Sequence, residues 1–192
     1  MTDATDNPIW APYEAFYIES MLSLTEAAMA SATWMKELLL KLAGGPVRVD
    51  DQAALNHLQN IVHQAGALSR YFWPSDKAHE PRGLYLRNVL MVTDNGPLKS
   101  RAVRNQMEHF DENLDEYLKS PVVGHIVPSY FGPKPPEDGV PQHFFRAYYL
   151  ETGEFEILGK RIKLEPLVVE IMRIHNLLVE CEESGCRLPP VK

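Results

Sequence analysis

The sequence predicts a mainly α protein: four helices in a bundle, then a three-strand antiparallel meander and a final helix.

 Three observations carry that prediction. Segments 12–43 and 53–72 repeat apolar residues at helical spacing with no proline inside either helix. Residues 121–141 hold six prolines and show no helical period. Residues 143–163 then run through β-branched and aromatic clusters broken at Thr152-Gly153 and Gly159-Lys160.

Each element follows in order. Residues 1–11 read as a flexible lead. The first helix runs from Pro12 to Ala43, is rich in strong helix formers, and is ended by Gly44-Gly45-Pro46. Its apolar residues cover more than one narrow stripe, which suits a helix central to its bundle or one that also serves an oligomer interface. Asp50 or Asp51 caps the second helix, which Pro74 stops. Leu55, Leu58, Val62, Ala65 and Phe72 share one of its faces. A shorter helix spans roughly 82–92, and the turn Asp94-Asn95-Gly96-Pro97 follows it. The fourth helix is expected from Leu98 to about Lys119, before Pro121. This gives a helical bundle over 12–120, a Pro/Gly-rich connector over 121–141, and the meander plus last helix over 142–192. Pro166 sits in the first turn of that last helix, where its missing N–H does no harm.

Composition excludes several classes. The chain has 192 residues, 45% of them hydrophobic and 23% charged, which fits a folded domain rather than a low-complexity segment. Two cysteines, Cys181 and Cys186, make no disulfide framework and no structural zinc site. The most apolar stretch, 21–43, is interrupted by Glu26, Lys36, Glu37 and Lys41, so no membrane span is expected. The N-terminal residues lack the features of a secretory signal, and the expectation is a cytoplasmic protein without membrane partners. A net charge of −7 argues against a broad surface that coats nucleic acid, though not against a small basic site.

The fourth helix carries the informative constellation. On a helical wheel Val103, Met107, Phe110, Leu114, Tyr117 and Leu118 form one apolar face. Asn105 and His109 lie opposite with Glu112 and Glu116, so packing does not require His109. Lys99, Arg101 and Arg104 crowd the N-terminal turns, while Glu108, Asp111, Glu112, Asp115 and Glu116 fill the other half. That order opposes the macrodipole by about 0.3–1 kcal/mol per exposed charge. Pairs such as Arg104 with Glu108 return about 0.2–0.5 kcal/mol. A cationic cluster at a helix start suits a phosphate; a solvated mixed-charge face is the plainer alternative.

Arg104-Asn105-Gln106-Met107-Glu108-His109 resembles the Arg-polar-x-x-x-His signature of the HEPN superfamily, and the preceding helices are similar to its bundle. The resemblance covers roughly residues 12–120. It implies a metal-independent endoribonuclease, without a cofactor, acting as a homodimer whose two motif helices line a shared cleft. Cleavage through the RNA 2′-OH needs proton transfer and a cation at the phosphate. On this reading His109 is the general acid or base, Arg104 clamps the phosphate, and Asn105 orients one of them. Lys99 and Arg101 supplement substrate binding. A toxin or phage-defence effector with a cognate antitoxin protein fits the resemblance. So does a non-catalytic binding or scaffold protein, since the family includes members that bind without cutting.

Other candidates have plainer readings beside them. Asn56, Asn60, His63 and Arg70 share the polar side of the second helix, with His57 toward its flank, and read as a solvated face or as part of the same cleft. The 108–116 acids have neither the loop nor the histidine that would mark a cation site. His143 and His175 read as structural. Phe144, Phe145, Tyr148 and Tyr149 would either stack bases on a sheet or fill the core.

Overall fold

The computed structural model describes residues 8–100, 110–119, 123–136 and 139–190. Helix α1 (Glu14–Ala43) is the axis of the molecule. Its buried positions include Ile18, Met21, Thr25, Ala28, Ser31 and Met35, which follow the helical period. Several are small, which lets neighbouring helices approach closely. Helix α2 (Asp51–Phe72) packs along one side of α1. Of its two candidate caps, Asp50 takes the role: its Oδ1 accepts from the Ala53 N–H at 3.0 Å. Leu55, Leu58, Val62, Ala65 and Phe72 are all buried, as the period requires.

Helix α3 (Glu80–Val89) begins and ends slightly earlier than its pattern suggests and packs on α2. The contact is close because Gly83 meets the end of α2. A Cβ there would sit 2.6 Å from the Phe72 carbonyl oxygen.

The expected start of the fourth helix is corrected. Pro97–Lys99 form a single 3-10 turn, and Ser100 is non-helical at φ −55° and ψ 125°. Leu98 plugs the core here, and its carbonyl accepts from Ser69 Oγ at 2.7 Å instead of starting a helical ladder. Helix α4 (Phe110–Leu118) falls within the expected span. Phe110, Leu114 and Tyr117 pack on the core as read, whereas Leu118 is exposed.

The described residues form a four-stranded sheet, β1 (His125–Gly132), β2 (Gln142–Tyr149), β3 (Glu154–Ile157) and β4 (Lys160–Lys163), in that spatial order. Strands β2, β3 and β4 are the expected antiparallel meander. Strand β1 is additional: it lies inside the segment read as a connector and pairs parallel to β2. The sheet is therefore mixed, not a three-strand antiparallel unit. Parallel neighbours usually need a crossover of a dozen or more residues. Here residues 133–141 make the return. An extended chain of that length reaches about 30 Å, enough to retrace a strand of about 23 Å.

Leu158 and Gly159 join β3 to β4 with φ of 48° and 74°, the signature of a two-residue type I′ turn. Leucine is unusual at positive φ, but Leu158 is buried and its N–H bonds the Phe145 carbonyl at 3.1 Å. The turn lies one residue before the break at Gly159-Lys160 that the sequence suggested.

Helix α5 (Leu164–Glu183) returns to α1 and packs along it. Leu164, Leu167, Ile171, Ile174, Leu178 and Cys181 form its buried stripe. One hydrophobic core thus joins α1, α2, α3, the inner face of the sheet and α5. Phe144, Ala147 and Tyr149 form a smaller cluster with Val127 and Tyr130. Cys181 is buried, Cys186 is partly exposed, and both are free thiols.

Candidate functional site

Arg101, Arg104, Asn105 and His109 lie outside the described residues. Lys99 is described, and its ammonium is committed locally. It bonds Asp94 Oδ1 at 2.6 Å and lies 5.9 Å from the centre of the Trp73 ring. Trp73 Nε1 donates to the same oxygen at 3.0 Å. These two hydrogen bonds, Lys99 first and Trp73 second, hold the Asp94 carboxyl below its ordinary range. Trp73 follows α2 and Asp94 follows α3, so this cluster ties three chain segments together.

The polar side of α2 is more engaged than a solvated face. Asn60 donates to the Ala27 carbonyl at 3.1 Å and to Ser31 Oγ at 2.9 Å. His57 stacks on Trp34 at 4.3 Å and shares a hydrogen bond with Ser31. Asn56 turns to the sheet. His63 and Arg70 are exposed.

Sequence reasoning missed Arg146 on β2. Its Nη1 donates to Asn56 Oδ1 at 2.7 Å and to Gln59 Oε1 at 2.8 Å, and its Nη2 donates to Gln52 Oε1 at 2.8 Å. Gln52 in turn donates to Ser129 Oγ on β1 at 2.8 Å. All three oxygens are neutral amides, and Arg146 is 8% exposed. Burial accordingly pulls its pKa down. The available signal was an arginine inside an aromatic strand, opposite amides spaced along one side of α2. Both Phe145 and Arg146 face the helices, Phe145 meeting Phe110 edge-on at 5.6 Å, so strand alternation lapses at this pair.

The aromatic residues of β2 do not form a stacking platform: Phe144, Tyr148 and Tyr149 are buried and Phe145 is half-buried. His143 bonds the Tyr117 hydroxyl through Nδ1 and the Val123 carbonyl through Nε2, both at 3.2 Å. His175 Nδ1 bonds Thr25 Oγ1 at 3.0 Å, joining α5 to α1. Beside the smaller cluster, Tyr149 donates to Glu156 Oε2 at 3.0 Å and Arg161 Nε donates to the same oxygen at 2.7 Å. Burial first, and then the Glu156 charge, push the Tyr149 phenol far upward.

Two concave features stand out among the described residues. An apolar cavity of about 500 Å³ lies between α1, α2, the sheet and the start of α5, lined in part by Met35, Leu39, Ile61, Tyr148 and Leu164. A second, of about 540 Å³, opens where α2 gives way to α3. Arg70, His79 and Arg82 line it together with Tyr17 and Tyr71. The first is suited to an apolar body.

Compared with known proteins, the chain matches no family model, no curated protein and no solved structure. No described helix is long and apolar enough to cross a membrane.

Proposed function

We propose that the chain is a HEPN-type, metal-independent endoribonuclease that cleaves RNA through the 2′-OH of its substrate. The phase of α4 supports this reading. Phe110, Leu114 and Tyr117 pack on the core, while Asp111, Glu112, Asp115 and Glu116 are exposed. On the wheel drawn from the sequence alone, Asn105 and His109 share the side of Glu112 and Glu116; both lie outside the described residues. His109 then moves the proton, Arg104 stabilises charge on the phosphate, and Asn105 orients the imidazole or the phosphate. Arg101 adds to phosphate binding; Lys99 joins it when its ammonium leaves Asp94.

A homodimer completes the proposed site by bringing a second motif opposite the first. Trp10, Tyr13 and Phe16 leave an exposed aromatic patch at the start of α1, which fits an interface of that kind. A role as a cytoplasmic toxin or phage-defence effector, restrained by an antitoxin protein, belongs to the same proposal.

A second reading, a non-catalytic binding or scaffold protein, is favoured by the exposed acids of α4, which repel RNA beside the motif. One experiment separates the two. Purified protein is incubated with mixed RNA in EDTA, beside His109→Ala and Arg104→Ala. The ribonuclease reading expects fragments with 2′,3′-cyclic phosphate and 5′-OH ends from the wild type alone. Identical RNA profiles from all three proteins overturn it.

A further inference from the structure

We propose that the apolar cavity between α1, α2, the sheet and the start of α5 binds a small uncharged molecule with an aliphatic body and one carbonyl oxygen. This is the chemistry of a medium-chain ketone or ester, and the Tyr148 hydroxyl is the donor that meets its oxygen. The inference stands on the described residues and does not depend on the ribonuclease reading.

Tyr148 on β2 is 6% exposed, yet its hydroxyl has no hydrogen-bond partner among the described residues. A buried tyrosine hydroxyl usually finds one, because leaving the group unpaired is costly. Its neighbour along the strand shows the usual outcome: the Tyr149 hydroxyl donates to Glu156 at 3.0 Å. The Tyr148 ring is fixed by stacking on Phe131 of β1, with centroids 5.3 Å apart and planes 23° apart. Its hydroxyl end reaches Gly153, where an added Cβ would lie 3.9 Å from the phenolic oxygen. Tyr148 and Gly153 both line the cavity, so this oxygen stands at its wall. Gly153, at φ 64°, brings no side chain to cover it. Burial raises the pKa of the phenol, which therefore keeps its proton at neutral pH and offers a donor.

The rest of the lining is aliphatic and has no net charge. Met35, Leu58, Ile61 and Leu164 are buried, with Leu39 and Val168 partly buried beside them. Leu40, 63% exposed, carries the apolar surface outward to the solvent side. Lys36 and Glu165 are the two charged residues of the lining, one of each sign, and both are exposed. Neither sign prevails, so an ionic head would give up its water without an excess of counter-charge to meet it.

Together these features select the ligand. Protein interiors are close-packed, so an opening of about 500 Å³ where two helices, a sheet and a third helix converge leaves apolar side chains short of contacts. The size falls in the range of small-molecule sites, which join an apolar wall to a few placed polar groups. A plain hydrocarbon would fill the volume and leave the Tyr148 hydroxyl unpaired. A carbonyl oxygen on the same body accepts that one donor and brings no charge with it.

The test is titration calorimetry on the full chain with three nine-carbon probes, 2-nonanone, nonanoate and nonylammonium, which share a body and differ in the head. The proposal expects the ketone to bind at least tenfold more tightly than either ion. Tyr148→Phe keeps the ring and removes the hydroxyl; it should weaken the ketone about three- to tenfold, the worth of one neutral hydrogen bond. Because the hydroxyl has no partner among the described residues, the same variant should melt no lower than the wild type. Ala32→Leu adds bulk to the cavity wall on α1 and should weaken the ketone at least tenfold. If that variant does not fold, Val168→Phe provides the same reading from α5. No saturable binding of 2-nonanone at millimolar concentration overturns the proposal. So does an ion that binds as tightly as the ketone, undiminished ketone binding by Tyr148→Phe or by a folded filling variant, or a Tyr148→Phe protein that melts several degrees lower.

Discussion

Glu14, the first residue of α1, accepts a hydrogen bond from Arg187 Nε at 2.8 Å across 173 sequence positions. The same oxygen accepts the Leu188 N–H at 2.9 Å. The carboxylate is buried, whereas the arginine side chain is 58% exposed. Glu14 is thus the fixed half of the pair, and the segment after α5 is fastened to it.

Glu14→Ala should therefore cost more than Arg187→Ala. Removing the carboxylate leaves a buried N–H without its acceptor and an arginine without its partner, a loss of about 2–4 kcal/mol. Removing the arginine leaves the Leu188 bond in place and its own head was largely in water. Denaturant unfolding of the two variants checks the order, and equal losses would sink this account.

Gly83→Ala should destabilise the protein although alanine is the better helix former. In an exposed helix the change gains about 1 kcal/mol. At this position the added Cβ would lie 2.6 Å from the Phe72 carbonyl oxygen and 2.7 Å from Pro74 Cδ. Backbone atoms cannot yield cheaply, so the expected outcome is a net loss of about 1–3 kcal/mol, the usual cost of overpacking. Thermal unfolding gives the sign directly.

Arg146→Ala should lose about 2–4 kcal/mol, because hydrogen bonds to a charged group are worth about 1.5–3 kcal/mol each and do not add fully. Arg146→Lys should recover less than half of that loss. An ammonium cannot reproduce the planar fork that reaches Gln52, Asn56 and Gln59 together. A lysine variant as stable as the wild type would show that the fork is not what matters. Denaturant midpoints measure all three proteins.

Asp94 gives the protein a defined acid sensitivity. Hydrogen bonds from Lys99 and Trp73 hold its folded-state pKa below the ordinary value of 3.8. A carboxyl depressed in the folded state contributes fully above its unfolded pKa and loses that contribution as pH falls through 3.8 toward the folded value. Asp94→Asn should therefore flatten the dependence of stability on pH in that window and leave the slope near neutrality unchanged. Unfolding midpoints measured across the acid range decide it. Unchanged acid dependence in Asp94→Asn would remove Asp94 from the account.

Legibility followed the range of the interactions. Helices α1, α2 and α5 and the strands of the meander follow from local periodicity and punctuation, as with the apolar face of α2 and its cap among Asp50 and Asp51. The start of the fourth helix was misread because Leu98-Lys99-Ser100 has ordinary helix-forming residues, while Ser69, distant in sequence, binds the Leu98 carbonyl. Strand β1 was missed because its partner lies beyond a proline-rich return, and Pro128 within it lowers any strand signal. The Arg146 node needed α2 and β2 side by side, a juxtaposition that no local pattern announces. Lys99 belonged on paper to a phosphate-binding cluster; its contact with Asp94 comes from the turn just before it.

The order of the strands has a consequence for association. A four-stranded open sheet has two outer strands, here β1 and β4, and each is a template on which another chain can build. β1 carries Pro128, which withholds one backbone donor, and β4 places Lys160, Arg161 and Lys163 among its four residues. Two copies meeting β4 to β4 would align cation against cation. The same sheet that joins the helical core is thus guarded at both margins against growth into fibrils.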